Sequence, residues 1–249
     1  MNRDLIIAIA SLLIGFFLTK LAFYIWPIEK SKPIERSPTI IETRIKIAIV
    51  DTGIIFNEET ERYVCKTGNE DFTGLGLIDT HGHGTNVAGL ISKDLNYEDY
   101  CLLILKYWRP DFIGNSLERE LAAINKAIKE QASYINLSLG GTDFSNREET
   151  LINKALSKNI KVVVSAGNNS TDLSKTCNYW PACIKANSNN FYVVGSCSNN
   201  KYHYFSNYNG PVKQCEDGLK RTGFGIKMGG TSQAAAIFTN KLIKYDQNR

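Results

Sequence analysis

The sequence predicts an α/β domain, a mostly parallel sheet with helices on both faces, preceded by one transmembrane helix. Three observations carry that prediction. From residue 44 onward, short runs rich in β-branched residues alternate with longer segments of helical periodicity, the pattern of strand–helix–strand units. Residues 5–26 form an apolar run of 22 residues broken by Thr19 and Lys20. With 249 residues, 43% hydrophobic and 22% charged, the chain can bury a sizeable core, and its net charge of +4 is dispersed rather than blocked, so no nucleic-acid partner is expected.

As a helix, residues 5–26 would be about 33 Å long, which matches the hydrocarbon core of a bilayer. Lys20 lies close enough to the end to snorkel, and Tyr24 and Trp26 suit an interfacial aromatic belt. No small-x-small cleavage site follows the apolar run, so residues 1–26 are expected to be an uncleaved anchor, with a cleaved signal peptide as the alternative. Residues 27–43, with Pro27, Pro33 and Pro38, read as an extended stalk, and residues 44–249 as the folded domain. Lys30, Lys32 and Arg36 follow the span while only Arg3 precedes it, which by charge alone would leave the domain in the cytoplasm. Six cysteines argue the opposite, because an even set of this size suits an oxidising compartment. The cysteines are given more weight, and the domain is expected on the extracytoplasmic side. Cys177 and Cys183 make the most plausible local disulfide; no Cys-x-x-Cys spacing points to zinc, and no metal or cofactor is expected.

Taken in order, residues 44–50 are an apolar strand that delivers Asp51-Thr52-Gly53 to its C-terminal tip, where open parallel sheets place their sites. A polar loop containing Cys65 leads to Asp79-Thr80-His81-Gly82-His83. His83 then opens an apolar helix through Gly84-Thr85-Asn86-Val87-Ala88-Gly89, while His81 stays in the loop. Residues 101–107 are the next strand. Asn115 and Glu118 have capping-box spacing before Leu117, Leu121, Ile124 and Ile128, which recur at helical period. Strand 134–138 follows, then Ser145 and Glu148 as a second box before Leu151, Ile152, Ala155 and Leu156, then strand 160–165. Residues 171–190 form a polar loop and 191–197 another strand; His203, among tyrosines and asparagines, reads as a surface residue.

The chemistry concentrates at Gly229-Gly230-Thr231-Ser232-Gln233-Ala234. Glycines permit a tight turn and helix formers follow, so Ser232 is placed where a turn becomes a helix, facing N–H groups and a dipole end that favour a nearby anion. Asp51, His83 and Ser232 are the three members of a nucleophilic triad: a carboxylate to orient the imidazole, an imidazole to take the serine proton, a serine to attack.

Val50-Asp51-Thr52-Gly53, His83-Gly84-Thr85-x-Val87-Ala88-Gly89 and Gly230-Thr231-Ser232-x-Ala234, in that order, resemble the subtilisin-like serine proteases, the subtilases. The resemblance covers roughly residues 45–240 and implies a subtilisin-like three-layer fold. It also implies that the strand Tyr134-Ile135-Asn136-Leu137-Ser138-Leu139-Gly140-Gly141 pairs with bound peptide, and that Asn168, after Val162-Val163-Val164-Ser165-Ala166-Gly167, supplies an oxyanion-hole amide. Ser138, Leu139, Gly140, Ala166 and Gly167 would line the substrate groove, and the small residues Ala166 and Gly167 suggest an apolar residue on the acyl side of the scissile bond.

The chain departs from the family in places. The stalk is too short for a folded propeptide, so the domain is expected to fold unaided or with a folding partner in its place. The helix from Ser232 is expected to end near Tyr245, giving a trimmed version of the domain. Gln233 and Ala236 replace the family's methionine and proline, which puts rate and leaving-group preference in question, and no calcium loop is found. Disulfides at roughly 2–4 kcal/mol each would substitute for that stabilisation. The expected function is a membrane-anchored serine endopeptidase acting on polypeptides. The alternatives are an inactive subtilase-like domain that binds peptides or partners, and a triad hydrolase acting on esters or transferring acyl groups.

Overall fold

The computed structural model describes residues 42–248 apart from 112, 113 and 115, all within one compact unit. The expected span, most of the stalk and the Asn115 cap lie outside the described residues, and no described helix is long and apolar enough to cross a membrane.

The central sheet runs in the order β2 (Glu70–Asp71), β3 (Tyr100–Lys106), β1 (Ile45–Asp51), β4 (Tyr134–Leu137), β5 (Lys161–Ser165), β6 (Phe191–Ser198) and β7 (Lys201–Tyr202); β8 (Gln214–Glu216) also pairs with β6. Every ladder is parallel except β6–β7. β9 (Arg221–Gly223) and β10 (Ile226–Met228) form a separate antiparallel pair. The strand limits differ from the sequence expectation by one residue at several ends, where terminal residues leave the ladder.

Buried on both faces, the central strands alternate between two cores. Ala48, Val50, Leu103, Leu105, Ile135 and Leu137 face α3 (Ser116–Lys129) and α4 (Asn146–Ser157), whose Ile124, Ala127, Ile128, Ile152 and Ala155 cover them. Ile47, Ile49, Leu102 and Ile104 face α2 (His83–Ser92) and α5 (Thr231–Gln247), meeting Val87, Ala88, Ile91, Ala236 and Ile243. Helices on both faces of a parallel sheet are the architecture that the alternating pattern requires.

The loop after β1 contains a helix that the sequence reading left as polar loop, α1 (Glu58–Tyr63), closed by a capping box between Asn57 and Thr60. Its six residues show no apolar stripe, so it carries no periodic signal. At α4, Ser145 Oγ accepts from Glu148 N at 3.3 Å, but the Glu148 carboxyl is engaged with Glu120 across the α3–α4 contact. The disulfides are Cys177–Cys183, as expected, together with Cys65–Cys101 and Cys197–Cys215, and no described cysteine is free. His203 is not the surface residue expected. It is half-buried, with Nδ1 2.8 Å from Ser196 Oγ, because the β6–β7 turn folds it back over β6.

Candidate active site

The candidate site lies at the C-terminal edge of the sheet, where β1, β4 and β5 end side by side and α2 and α5 begin. Asp51, the last residue of β1, is 3% exposed. Its Oδ1 lies 2.7 Å from His83 Nδ1 and accepts the Thr52 N–H at 2.7 Å; Oδ2 is buried and receives no hydrogen bond from a described residue.

Asp79 sets this contact. The first turn of α2 leaves backbone donors unpaired, and its N-cap, Gly82 at φ +91°, has no side chain to receive them. Asp79 accepts instead from Gly82 N and His81 N through Oδ1, and from Thr85 N and Thr85 Oγ1 through Oδ2, at 2.7–2.9 Å. Burial works against its charge, yet these donors more than compensate and hold the carboxyl below the usual range. Thr52 then links strand to helix: its hydroxyl donates to Asp79 Oδ1 at 2.9 Å and accepts Gly84 N at 2.8 Å. Gly84 is required there, since a Cβ would stand 2.4 Å from the Gly53 carbonyl oxygen.

The result is that His83, not His81, meets Asp51. Burial opposes a charged imidazole, but the Asp51 carboxylate and, more distantly, Asp79 prevail, and His83 is held above the usual histidine value. His81 stands edge-on to Trp108, its ring 6.2 Å from that of His83. Together with Asp51, Thr52, Tyr107 and Ser138 these three side chains line a cleft of about 200 Å³.

Ser232 is the second residue of α5 and 9% exposed. Its Oγ donates to the Ser138 carbonyl at 3.2 Å, and no hydrogen bond joins Ser232 to His83 among the described residues. The side chains of Asp51 and His83 are therefore joined directly, while Ser232 is turned to the strand beside them. Ser138 Oγ shares its proton between Asn136 Oδ1 at 2.8 Å and the Ser232 carbonyl at 3.0 Å, which fastens the start of α5 to the end of β4.

Thr231 does the same for β5. Its hydroxyl accepts Gly167 N at 3.1 Å, and Asn168 Oδ1 accepts both its hydroxyl and its N–H, at 3.1 and 2.9 Å. A backbone N–H can only donate, so Oδ1 is fixed against Thr231 and the Asn168 amide NH2 is left to donate elsewhere. Ser165 Oγ donates to the Leu139 carbonyl at 3.1 Å, tying the two segments expected to flank the substrate groove. Leu139 and Ala166 are buried, whereas Gly140 is exposed.

Gln233 reaches two places: a Cβ on Gly230 would lie 3.2 Å from its Oε1 and 3.3 Å from Asn168 Nδ2, so its amide oxygen stays near the Asn168 side chain. Gln233 is 1% exposed, and its Nε2 donates to Asn86 Oδ1 at 3.0 Å in the α2–α5 interface; Ala236 is buried against the same interface. Asn86 in turn donates to the Arg221 and Ile226 carbonyls, and Asn240 to those of Ile91 and Lys93. The sequence reading missed Thr52, Asp79, Thr85 and Thr231 as site residues. A cap-forming Asp ahead of a helix start was the one available signal for Asp79.

The family model described as the subtilase family matches residues 42–245. A subtilase-type proteinase, psp3, of Schizosaccharomyces pombe is 32% identical over 64% of this chain and 36% of its own length. The major intracellular serine protease of Bacillus subtilis is 29% identical over 77% of this chain and 65% of its own. This chain thus spans well under half the length of the first of these relatives. Among solved structures, a cold-adapted subtilisin-like serine proteinase superposes with a TM-score of 0.68 at 22% identity, covering 82% of this chain and 76% of that one.

Proposed function

Because the chain belongs to the subtilase family, we propose that it is a serine endopeptidase that hydrolyses polypeptides through Asp51, His83 and Ser232. The observation that carries the proposal is the 2.7 Å contact of Asp51 Oδ1 with His83 Nδ1, beside a serine at a helix start. In this reading Asp51 holds the Nδ1–H tautomer, leaving Nε2 to accept the Ser232 proton as Oγ attacks the peptide carbonyl. Rotation of Ser232 away from the Ser138 carbonyl precedes the attack, a rearrangement that substrate binding often brings about. The Asn168 amide and the Ser232 N–H donate to the oxyanion, His83 returns the proton to the leaving amine, and water releases the acyl group by the same route.

Residues 138–141 would bind the peptide backbone, with Leu139, Ala166 and Gly167 behind the groove. The reading keeps the domain outside the cytoplasm and tethered by residues 5–26, with secretion after cleavage as the alternative. Three disulfides support an oxidising compartment. In intact cells, added protease should digest the domain; digestion only after the membrane is opened would exclude surface display.

A second reading, a domain that binds peptides without cutting them, is favoured by the Ser232–Ser138 hydrogen bond. Labelling of the full chain by a fluorophosphonate separates the two. Covalent labelling lost in Ser232→Ala supports hydrolysis; a folded, unlabelled protein supports binding alone.

A further inference from the structure

The groove assigned under the proteolytic reading runs between two backbone segments, residues 138–141 after β4 and 166–168 after β5. The space between them is already furnished. A Cβ placed on Gly140 would lie 2.5 and 2.7 Å from Cε1 and Cζ of Tyr179, and one placed on Gly167 would lie 2.9 Å from Cδ1 and Cε1 of the same ring. Both distances are shorter than carbon atoms tolerate. One aromatic ring is therefore seated between the two segments, and it fits because neither glycine carries a side chain.

The ring is also held in place. Tyr179 lies within the loop closed by the Cys177–Cys183 disulfide, and its own carbonyl accepts Cys183 N at 2.9 Å. The next residue pairs in both directions with the groove edge: Gly141 N donates to the Trp180 carbonyl at 2.9 Å, and Trp180 N to the Gly141 carbonyl at 2.8 Å. Trp180 packs on Phe144 with ring centroids 4.6 Å apart. A residue fixed by a covalent loop, a turn and a two-way bridge is part of the wall.

We propose that Tyr179 is the specificity-determining residue of the groove: its ring fills the slot between Gly140 and Gly167, so the residue on the acyl side of the scissile bond is of glycine, alanine or serine size. This rests on the proteolytic reading and narrows the expectation of an apolar residue there. A long or aromatic side chain would have to displace a ring that packs on two backbone segments. Excess volume of that size is worth roughly ten- to a hundredfold in discrimination.

The test uses the full chain and two acetylated hexapeptides that differ only in having Ala or Phe at the third position, with cleavage at that residue followed by mass spectrometry. The wild-type protein is expected to cleave after Ala with a kcat/KM at least about tenfold above that after Phe. Tyr179→Gly should reduce the preference to within about twofold, and Tyr179→Phe, which keeps the ring, should retain it. Tyr179→Leu replaces the glycine variant if that one does not fold. Equal cleavage of both peptides by the wild type, or an unchanged ratio in the ring-less variant, overturns the proposal. The same two peptides are titrated into Ser232→Ala by calorimetry. Tighter binding of the Ala peptide, with no cleavage by the wild type, would defeat the proteolytic reading and leave Tyr179 as the gatekeeper. Equal binding of both peptides, or binding of neither, defeats the Tyr179 assignment.

Discussion

Asn168 and Thr231 are joined twice, Oδ1 of the asparagine accepting both the backbone N–H and the hydroxyl of the threonine. One acceptor thereby orients a whole amide, and it does so from the residue next to the candidate nucleophile. In the proposed mechanism the Asn168 NH2 must be aimed before any oxyanion exists, because reorganisation during the reaction would raise the barrier.

Thr231→Val removes one of the two hydrogen bonds to Asn168, together with the acceptor of Gly167 N, while nearly keeping the volume. The expected result is a fall in kcat of roughly tenfold with little change in KM, against on the order of a hundred- to a thousandfold for Asn168→Ala. Steady-state kinetics on one peptide checks both. A larger effect in KM than in kcat would mean that Thr231 serves the groove rather than the oxyanion.

In the proposed mechanism His83 is a base, which it can be only when neutral, and its affinity for a proton is raised by Asp51 and Asp79 against the opposing effect of burial. Fluorophosphonate labelling should therefore accelerate with rising pH, with a midpoint above the ordinary histidine value of about 6.5. Asp51→Asn should lose most of the rate, since the wrong tautomer is then allowed. A pH-independent labelling rate would remove His83 from the base role.

Glu120 and Glu148 face each other across the α3–α4 contact and are 9% and 3% exposed. Burial raises both, Glu120 further through the neighbouring Glu148 carboxyl. The folded protein thus keeps a proton that the unfolded chain releases above about pH 4.5. Raised folded values contribute stability that is whole below the unfolded value and is lost as pH rises toward the folded one. Glu120→Gln supplies a permanent donor and should stabilise the protein at pH 8 by roughly 1–3 kcal/mol, with little gain at pH 4. Urea denaturation at the two pH values measures this; equal effects at both would contradict the shared proton.

The disulfides close loops of very different length, 36 residues for Cys65–Cys101 and 6 for Cys177–Cys183. Loop entropy then assigns about 4 kcal/mol to the first and about 2 to the second. Cys65→Ser with Cys101→Ser should lower Tm more than Cys177→Ser with Cys183→Ser. The second pair should instead relax the residue preference of the groove, since the loop that seats Tyr179 is loosened. Thermal melts and the two hexapeptides read these separately.

Much of this could be read from the sequence because the signals were local. The β-branched runs at 47–50 and 162–164 mark strands buried on both faces, and Gly84-Thr85 after His83 distinguishes it from His81 by marking a helix start. What escaped depends on contacts between distant segments. Asp79 is an ordinary loop aspartate until Thr52 and Thr85 are folded onto it. Tyr179 is one aromatic in a polar loop, and nothing in its neighbours tells that the Gly141–Trp180 bridge carries it to Gly140 and Gly167. His203 looks exposed because its sequence context is polar, whereas Ser196, seven residues earlier, gives it a buried partner. Gln233 stands next to Ser232 in sequence, and only the fold shows that its Nε2 is tied to Asn86 across the α2–α5 interface.

The order of the elements makes the site depend on one late contact. Asp51 ends the first strand, His83 opens the helix that packs beside it, and Ser232 arrives only with the last helix, whose Gln233 and Asn240 fasten it to α2. Under the proposed mechanism the three groups are therefore brought together only when α5 docks on α2, so weakening the Gln233–Asn86 and Asn240 contacts would disturb the site without touching any of its three side chains.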